Sequence, residues 1–241
     1  MHGIKNKIFF GYFGTAQDDL KHHGAYQTIH FEQLLKKLCA NIHQDIKTLF
    51  FLEQTHSADV FIINAEQNLN RPLDLQRFVG DAIITNQKSI AIGVATADCL
   101  PLFLYDPINN AIGVIHAGWK GLRAKIITTT IQKMTLTFGT NPSDLEVYLG
   151  PSAQVCCYEV QKDFLEFLPT NAQAQKIITI RDNKIFFNAR VMSILELISA
   201  GVLEPLIDTK QNCCTICSQG FCSFRKDNQK AGRQPSVALL I

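Results

Sequence analysis

Residues 96–118 read "TADCLPLFLYDPINNAIGVIHAG". Two apolar runs, 101–106 and 111–118, flank Pro107, Ile108, Asn109 and Asn110, where proline and the two asparagines are turn formers. Near-continuous apolar strands on either side of a tight turn predict a β-hairpin buried inside the molecule. Cys99 precedes the first strand and His116 closes the second. The open end of the hairpin can therefore bring a thiol and an imidazole side by side, although 17 positions separate them (116 − 99). This hairpin decides both the architecture and where chemistry can sit.

Upstream of it, residues 46–54, 58–64, 78–86 and 89–98 are rich in Ile, Val and Phe between turn formers and predict four more strands. Residues 26–40 show helical spacing at Ile29, Leu34, Leu35 and Leu38. Downstream, Leu122, Ile126, Ile127, Ile131, Met134 and Phe138 recur on one face, predicting a helix over 120–138 that Gly139 stops. Residues 144–150 return as a strand. Segments 156–168 and 188–202 have a helical period, the second capped by Asn188 and ended by Gly201, and 236–241 close with a strand. Helices mixed with hairpins, without regular βαβ alternation, predict an α/β (α+β-like) sandwich in which helices cover a mixed sheet. No repeat, low-complexity tract or linker divides the chain, so residues 1–241 are expected to form a single domain.

Hydrophobic residues make up 46 % and charged residues 18 % of the 241, the balance of a globular protein. The formal net charge is +2 with Lys and Arg scattered, which gives no electrostatic case for nucleic acid. No stretch approaches the length of a membrane span, and the apolar run "IFFGYF" near the N-terminus lacks a following cleavage site. A cytoplasmic protein with no membrane partner is expected, its 8 cysteines reduced. Cys214, Cys217 and Cys222 in "CCTICSQGFC" resemble half of a metal knuckle, but no second CxxC accompanies them, and they read as a thiol-rich core or loop. The adjacent His22 and His23 read as turn residues facing water.

Three side chains stand at strand ends: His56 in "EQTHSADV", Cys99 in "TADCLP" and His116 in "VIHAGWKGL". Two imidazoles and one thiolate suit Zn²⁺ with a fourth position left for water or substrate, and copper accepts the same donors. A second reading drops the metal: Cys99 is a thiolate nucleophile activated by His116, with Asp98 or Asp81 orienting the base. The metal needs His56, whereas the nucleophilic pair does not. Taken singly, each of these residues is most often structural, so the residues alone leave both readings open.

"EQTHSADV", "GDAIITN", "TADCLPLFLYDP", "AIGVIHAGWKGL", "LGPSAQVCCYEV" and "SFRKDNQKAGRQPSVALLI" together resemble the bacterial laccase-domain family, over roughly Leu52 to the C-terminus. Its members go by the names multicopper polyphenol oxidase, purine nucleoside phosphorylase and peptidoglycan editing factor. The resemblance implies a sandwich of the laccase-domain type, with His56, Cys99 and His116 as metal ligands and catalytic residues and zinc as the ion. It also implies phosphorolysis of adenosine, inosine and methylthioadenosine, and deamination of adenosine, with a purine nucleoside and phosphate as the small-molecule partners. For substrate binding the sequence offers Arg225, Asp98 and Gln54, and then Asp81 and, beside His116, Lys120 and Arg123. The competing functions are a cysteine-type hydrolase or peptidoglycan-editing enzyme using Cys99 and His116, and a degenerate nucleoside-binding protein. A multicopper electron relay takes many histidines; of the 7 here, only His56 and His116 lie in the matched motifs. A monomer or homodimer is expected.

Overall fold

The hairpin forms in the register that its apolar runs dictate, from Leu100 opposite Ala117 to Asp106 opposite Ala111. Its turn is held by Asp106, whose carboxylate accepts from the backbone N–H groups of Ile108 and Asn109, both at 2.9 Å, and from the Asn109 side chain at 2.8 Å. The computed structural model describes residues 2–5, 8–13, 36, 40, 46, 48–64, 78–168 and 174–241. Its strands are β1 (His2–Lys5), β2 (Ile8–Tyr12), β3 (Thr48–Phe50), β4 (Val60–Ile63), β5 (Ala82–Thr85), β6 (Ile90–Thr96), β7 (Leu100–Asp106), β8 (Ala111–Ala117), β9 (Glu146–Leu149), β10 (Glu159–Val160), β11 (Ile178–Arg181), β12 (Lys184–Phe187), β13 (Ile207–Asp208) and β14 (Gln234–Leu240). The helices are α1 (Trp119–Arg123), α2 (Ile126–Phe138), α3 (Ala174–Ile177), α4 (Ala189–Ser199) and α5 (Phe224–Asp227).

The strands divide among three sheets, ordered β1-β2-β14-β6-β3, β13-β9-β7-β8-β5-β4 and β10-β12-β11. The two larger ones are mixed: β3 runs parallel to β6, β4 to β5 and β13 to β9, and their other pairings are antiparallel. Alternation along the strands builds the layers. Phe103, Tyr105, Ile112 and Val114 pack against Phe10, Tyr12, Ile92 and Ala238 of the five-stranded sheet. The opposite face of the six-stranded sheet, with Leu102, Leu104 and Ile115, is covered by Ile127, Ile131 and Met134 of α2 and Leu197 of α4. The mixed α/β sandwich is therefore a pair of large sheets in which, among the described residues, α2 and α4 cover the outer face of the six-stranded one. Among the described residues, no helix is long and apolar enough to cross a membrane.

Two segments depart from their sequence periodicity. The helix expected over 120–138 breaks at Lys125, which adopts a left-handed φ of 66° and provides no side-chain cap for α2. Leu122 and Ile126 keep helical spacing across the break, which is why the pattern concealed it. The cap comes from α4, where Glu196 Oε1 accepts from Thr128 N at 2.9 Å and Thr128 Oγ1 at 3.0 Å. Glu196→Ala leaves those donors without a partner and is expected to destabilise the fold by about 1–2 kcal/mol, read from urea unfolding. The second segment, 156–168, is not α-helical but a turn, then β10, then a 3₁₀ stretch at Lys162–Phe167. Its aromatic spacing serves packing instead, with Phe164 and Phe167 against Trp119 at ring separations of 5.5 and 5.6 Å. Of the helix expected over 26–40, only Lys36 and Ala40 are described, and both are helical; His22 and His23 lie outside the described residues. Asn188 caps α4 by accepting from Val191 N at 3.1 Å, and Gly139 ends α2 at φ 75°, as expected.

Candidate functional site

Sheet register places the site. Continuing the β7–β8 ladder outward puts Cys99 opposite Gly118, and continuing β5–β8 puts Asp81 beside His116, whose N–H donates to the Asp81 carbonyl at 2.7 Å. The loop before β4 delivers His56. Gln54 fastens its start to the end of β6, with Nε2 donating to Ala95 O at 2.9 Å and Oε1 accepting from Ala95 N at 2.7 Å. His56 itself has φ 62°, a left-handed conformation costing about 1–2 kcal/mol outside glycine. The Asp81 carboxylate offsets that cost by accepting from the backbone N–H groups of Thr55 at 3.2 Å, His56 at 3.0 Å and Ser57 at 2.6 Å, and from Ser57 Oγ at 2.8 Å.

That carboxylate also orients the second imidazole. Asp81 Oδ1 lies 2.7 Å from His116 Nδ1, so of the two acids considered for this role the structure selects Asp81. Burial by itself would raise the Asp81 pKa, yet hydrogen bonds from His116 and Ser57 and the imidazole charge bring it down to about 2. With Nδ1 engaged, His116 turns Nε2 towards Cys99, the arrangement by which outer carboxylates fix metal-binding histidines.

One ligand atom from each of His56, Cys99 and His116 lies within 4.8 Å of the other two, and Cys99 Sγ is 3.7 Å from His56 Nε2. The imidazoles meet edge to face, 4.7 Å apart at 78°. His116 is buried, Cys99 half-buried and His56 exposed, so the cluster opens on one side. Burial disfavours charge on the Cys99 thiol, but His116 and His56 outweigh it and pull the pKa down to about 6. Burial likewise opposes the His116 imidazolium, and Cys99 and Asp81 overcome it, raising the pKa to about 9. Gly118 completes the cradle: a Cβ there would stand 2.6 Å from His56 Cδ2 and 3.3 Å from Cys99 Sγ. A thiolate and two oriented imidazoles converging on a space kept clear by glycine fit a zinc or copper ion, and the donor types do not discriminate between the two.

The remaining predicted residues surround this cluster. Asp98, left-handed at φ 82° and buried, accepts through its carboxylate from Thr215 Oγ1 at 2.7 Å, Ser223 Oγ at 3.0 Å and Arg225 N at 2.7 Å. Its carbonyl accepts from Ala153 N at 2.8 Å. Arg225 is exposed; Nη1 donates to Glu159 O at 2.8 Å, and the guanidinium carbon lies 5.0 Å from the Tyr158 ring centroid. Burial first, then the nearby Cys99 charge, pushes the Tyr158 phenol well above its ordinary pKa. Arg123 and Lys120 face elsewhere, 4.0 Å from the Phe167 ring centroid and 5.7 Å from that of Trp119. Ser57, Tyr158, Thr215 and Ser223 were missed by sequence reasoning. Only Ser223 carries a local signal, as the N-cap of α5.

Comparison with known proteins places this geometry. The family model described as multi-copper polyphenol oxidoreductase laccase matches residues 19–241, well upstream of Leu52 where the motif likeness begins. A purine nucleoside phosphorylase of Clostridium acetobutylicum is 32 % identical over 197 residues, covering 81 % of this chain and 78 % of the relative. One from Aquifex aeolicus is 37 % identical over 162 residues, 67 % of this chain and 72 % of the relative. The adenosine deaminase RL5, from an unknown prokaryotic organism, is 28 % identical over 204 residues, 81 % of this chain and 76 % of the relative. In fold, the chain is similar to the Bacillus licheniformis hypothetical protein YfiH, with a TM-score of 0.84 at 24 % identity over 97 % of this chain and 93 % of that one. The chain thus belongs to the multi-copper polyphenol oxidoreductase laccase family.

Proposed function

We propose that this protein is a zinc-dependent purine nucleoside phosphorylase acting on adenosine, inosine and methylthioadenosine, with deamination of adenosine as a second activity. The observation that carries the reading is the convergence of His56, Cys99 and His116 at an open hairpin end, in a chain whose relatives are named purine nucleoside phosphorylase and adenosine deaminase. His56 Nε2, Cys99 Sγ and His116 Nε2 would hold the ion. When bound, such an ion supplies Lewis-acid polarisation and acidifies coordinated water.

The chain's own groups do the rest. Asp81 keeps the imidazole proton of His116 on Nδ1 and clamps the His56 loop. In phosphorolysis a phosphate oxygen bonds to C1′ of the ribose as the bond from C1′ to the purine nitrogen breaks; the electron pair leaves with the base, which takes up a proton. Arg225, exposed beside Tyr158 and tied through its backbone N–H to Asp98, binds the phosphate. The Tyr158 phenol, held protonated, donates a hydrogen bond to the departing purine. Gln54 and Asp98 were expected on the substrate, but their polar groups are engaged by Ala95 and by Thr215, Ser223 and Arg225, so both act as positioning residues.

The test supplies adenosine or inosine to zinc-loaded protein with and without phosphate. Ribose 1-phosphate and free base should form only with phosphate, and ammonia should be released from adenosine. No base release from either nucleoside overturns the reading. Arg225→Ala is expected to raise the KM for phosphate by roughly 10–100-fold with a smaller effect on kcat, as loss of a charged hydrogen bond requires.

A further inference from the structure

Away from the His/Cys/His cluster, the fold assembles a second group of sulfurs. The sequence shows a single CxxC, Cys214 and Cys217, but the fold brings the adjacent pair Cys156 and Cys157 against it from 57 positions upstream (214 − 157). The four Sγ atoms all lie within 4.8 Å of one another, and Cys156 and Cys217 are 3.9 Å apart. Four sulfurs each 2.3 Å from a zinc ion at the corners of a tetrahedron stand about 3.8 Å from one another. The set is thus within about 1 Å of a closed tetrathiolate site, and its sulfurs are much further apart than the ~2.05 Å of a disulfide.

The surrounding backbone is built to hold this arrangement. Ser152 N donates to Cys213 O and Thr215 N to Ser152 O, both at 3.0 Å, joining the two loops side by side. Asn212 Nδ2 bonds to Gly150 O and, at 3.1 Å, to Ser152 Oγ. Arg181 Nη2 donates to Val155 O at 3.2 Å and to Cys156 O at 2.9 Å, which ties β11 to the loop that carries the cysteine pair. Backbone N–H groups of Cys217, Gln154 and Ile216 reach the Cys214 sulfur and fix its position in the cluster. The alternative, an inert thiol-rich loop, does not suit the exposure: Cys156 and Cys217 are exposed, whereas cysteines that merely fill space are buried.

We propose that Cys156, Cys157, Cys214 and Cys217 form a structural zinc site, separate from the His56–Cys99–His116 cluster, that clasps the 152–158 loop to the 212–218 loop. Each thiol releases its proton to solvent on binding, no electron is transferred, and four protein sulfurs leave no position for substrate. The clasped loops are the ones that reach Asp98 through Ala153 and Thr215, one residue before Cys99. The site therefore stiffens one wall of the candidate active site without taking part in its chemistry.

The decisive experiment counts zinc by mass spectrometry after gel filtration of protein prepared under reductant. The natural chain should carry about two ions, the His56→Ala/Cys99→Ala/His116→Ala variant about one, and Cys214→Ser/Cys217→Ser about one. Cobalt loaded into the triple-alanine variant should give strong thiolate-to-metal absorption, because its other ligands are gone. The natural chain also gives the answer without any substitution: an organomercurial should release about two zinc ions per chain if both sites exist. A triple variant that folds and holds no zinc, or a mass spectrum showing two of the four cysteines joined as a disulfide, overturns the proposal. A natural chain that holds only the tetrathiolate ion sinks the zinc-enzyme reading and leaves this one standing.

Discussion

Asp81→Ala is expected to abolish nucleoside turnover and to cost more stability than a single lost hydrogen bond. The fully buried carboxylate serves three backbone N–H groups, the Ser57 hydroxyl and His116 Nδ1 at once. Its removal leaves the buried His116 Nδ1 without its acceptor and frees the loop whose left-handed His56 it anchors, at about 3–5 kcal/mol. Metal affinity should fall by roughly 10–100-fold, the usual effect of losing an outer carboxylate. Asp81→Asn keeps the volume and separates charge from shape. A carboxyl held down at about 2 stabilises the fold above the unfolded value of ~3.9 and loses that contribution as the pH drops through the folded one. In metal-free protein, acid unfolding between those limits should therefore be shallower in Asp81→Asn than in the natural chain. At the other end, the His116 contribution is present below ~6.5 and lost as the pH rises through about 9. Removing the Asp81 charge should weaken that alkaline loss. Asp81→Asn with natural metal content and the natural acid profile would remove Asp81 from the centre of the site.

How far the sequence revealed this site depends on whether the relevant signal was local. The Thr96–Gly118 hairpin was legible because apolar runs flanking proline and asparagine admit few other structures, and its open end already pointed at Cys99 and His116. His56 was placed with them by family resemblance, since no local pattern relates it to a hairpin 43 positions away (99 − 56). The β11–β12 hairpin had a local signal that went unread: Asp182 and Asn183, at φ 48° and 58°, form the two-residue turn for which those side chains are suited. Lys125 gave no signal, because a left-handed lysine breaks a helix without disturbing its apolar stripe. The choice of Asp81 over Asp98 was also invisible. Both precede strands by one or two residues, and only the β5–β8 register distinguishes the one that faces His116 from the one that gathers the 153, 215 and 223–225 segments. The tetrathiolate cluster escaped for the same reason, since half of its donors are an adjacent pair with no spacing signature.

Gly118→Ala tests whether the space at the centre of the cluster matters as much as the donors around it. Gly118 has φ −71° and ψ 161°, a conformation open to alanine, so the substitution carries no backbone penalty. The whole effect is steric. The new methyl would meet His56 Cδ2 at 2.6 Å, His56 Nε2 at 3.4 Å and Cys99 Sγ at 3.3 Å, where ordinary carbon contacts need about 3.5–4.0 Å. His56 is the exposed member, so its ring gives way by about 1 Å while Cys99 and the buried His116 stay in place. A shift of that size costs roughly 100-fold in turnover when it moves a group at the reacting centre. Because an exposed ring can swing outward without opening the core, the melting temperature should stay within about 2–4 °C of the natural value, which corresponds to under ~1 kcal/mol. If the effect runs through His56, the Gly118→Ala/His56→Ala double variant should be no worse than His56→Ala alone, since the second change removes what the first displaces. Additive losses would instead locate the damage at Cys99. Full activity in Gly118→Ala would show that the His56 imidazole is not needed where the structure holds it, and the two-residue Cys99–His116 nucleophile would then replace the metal centre as the better account of the site.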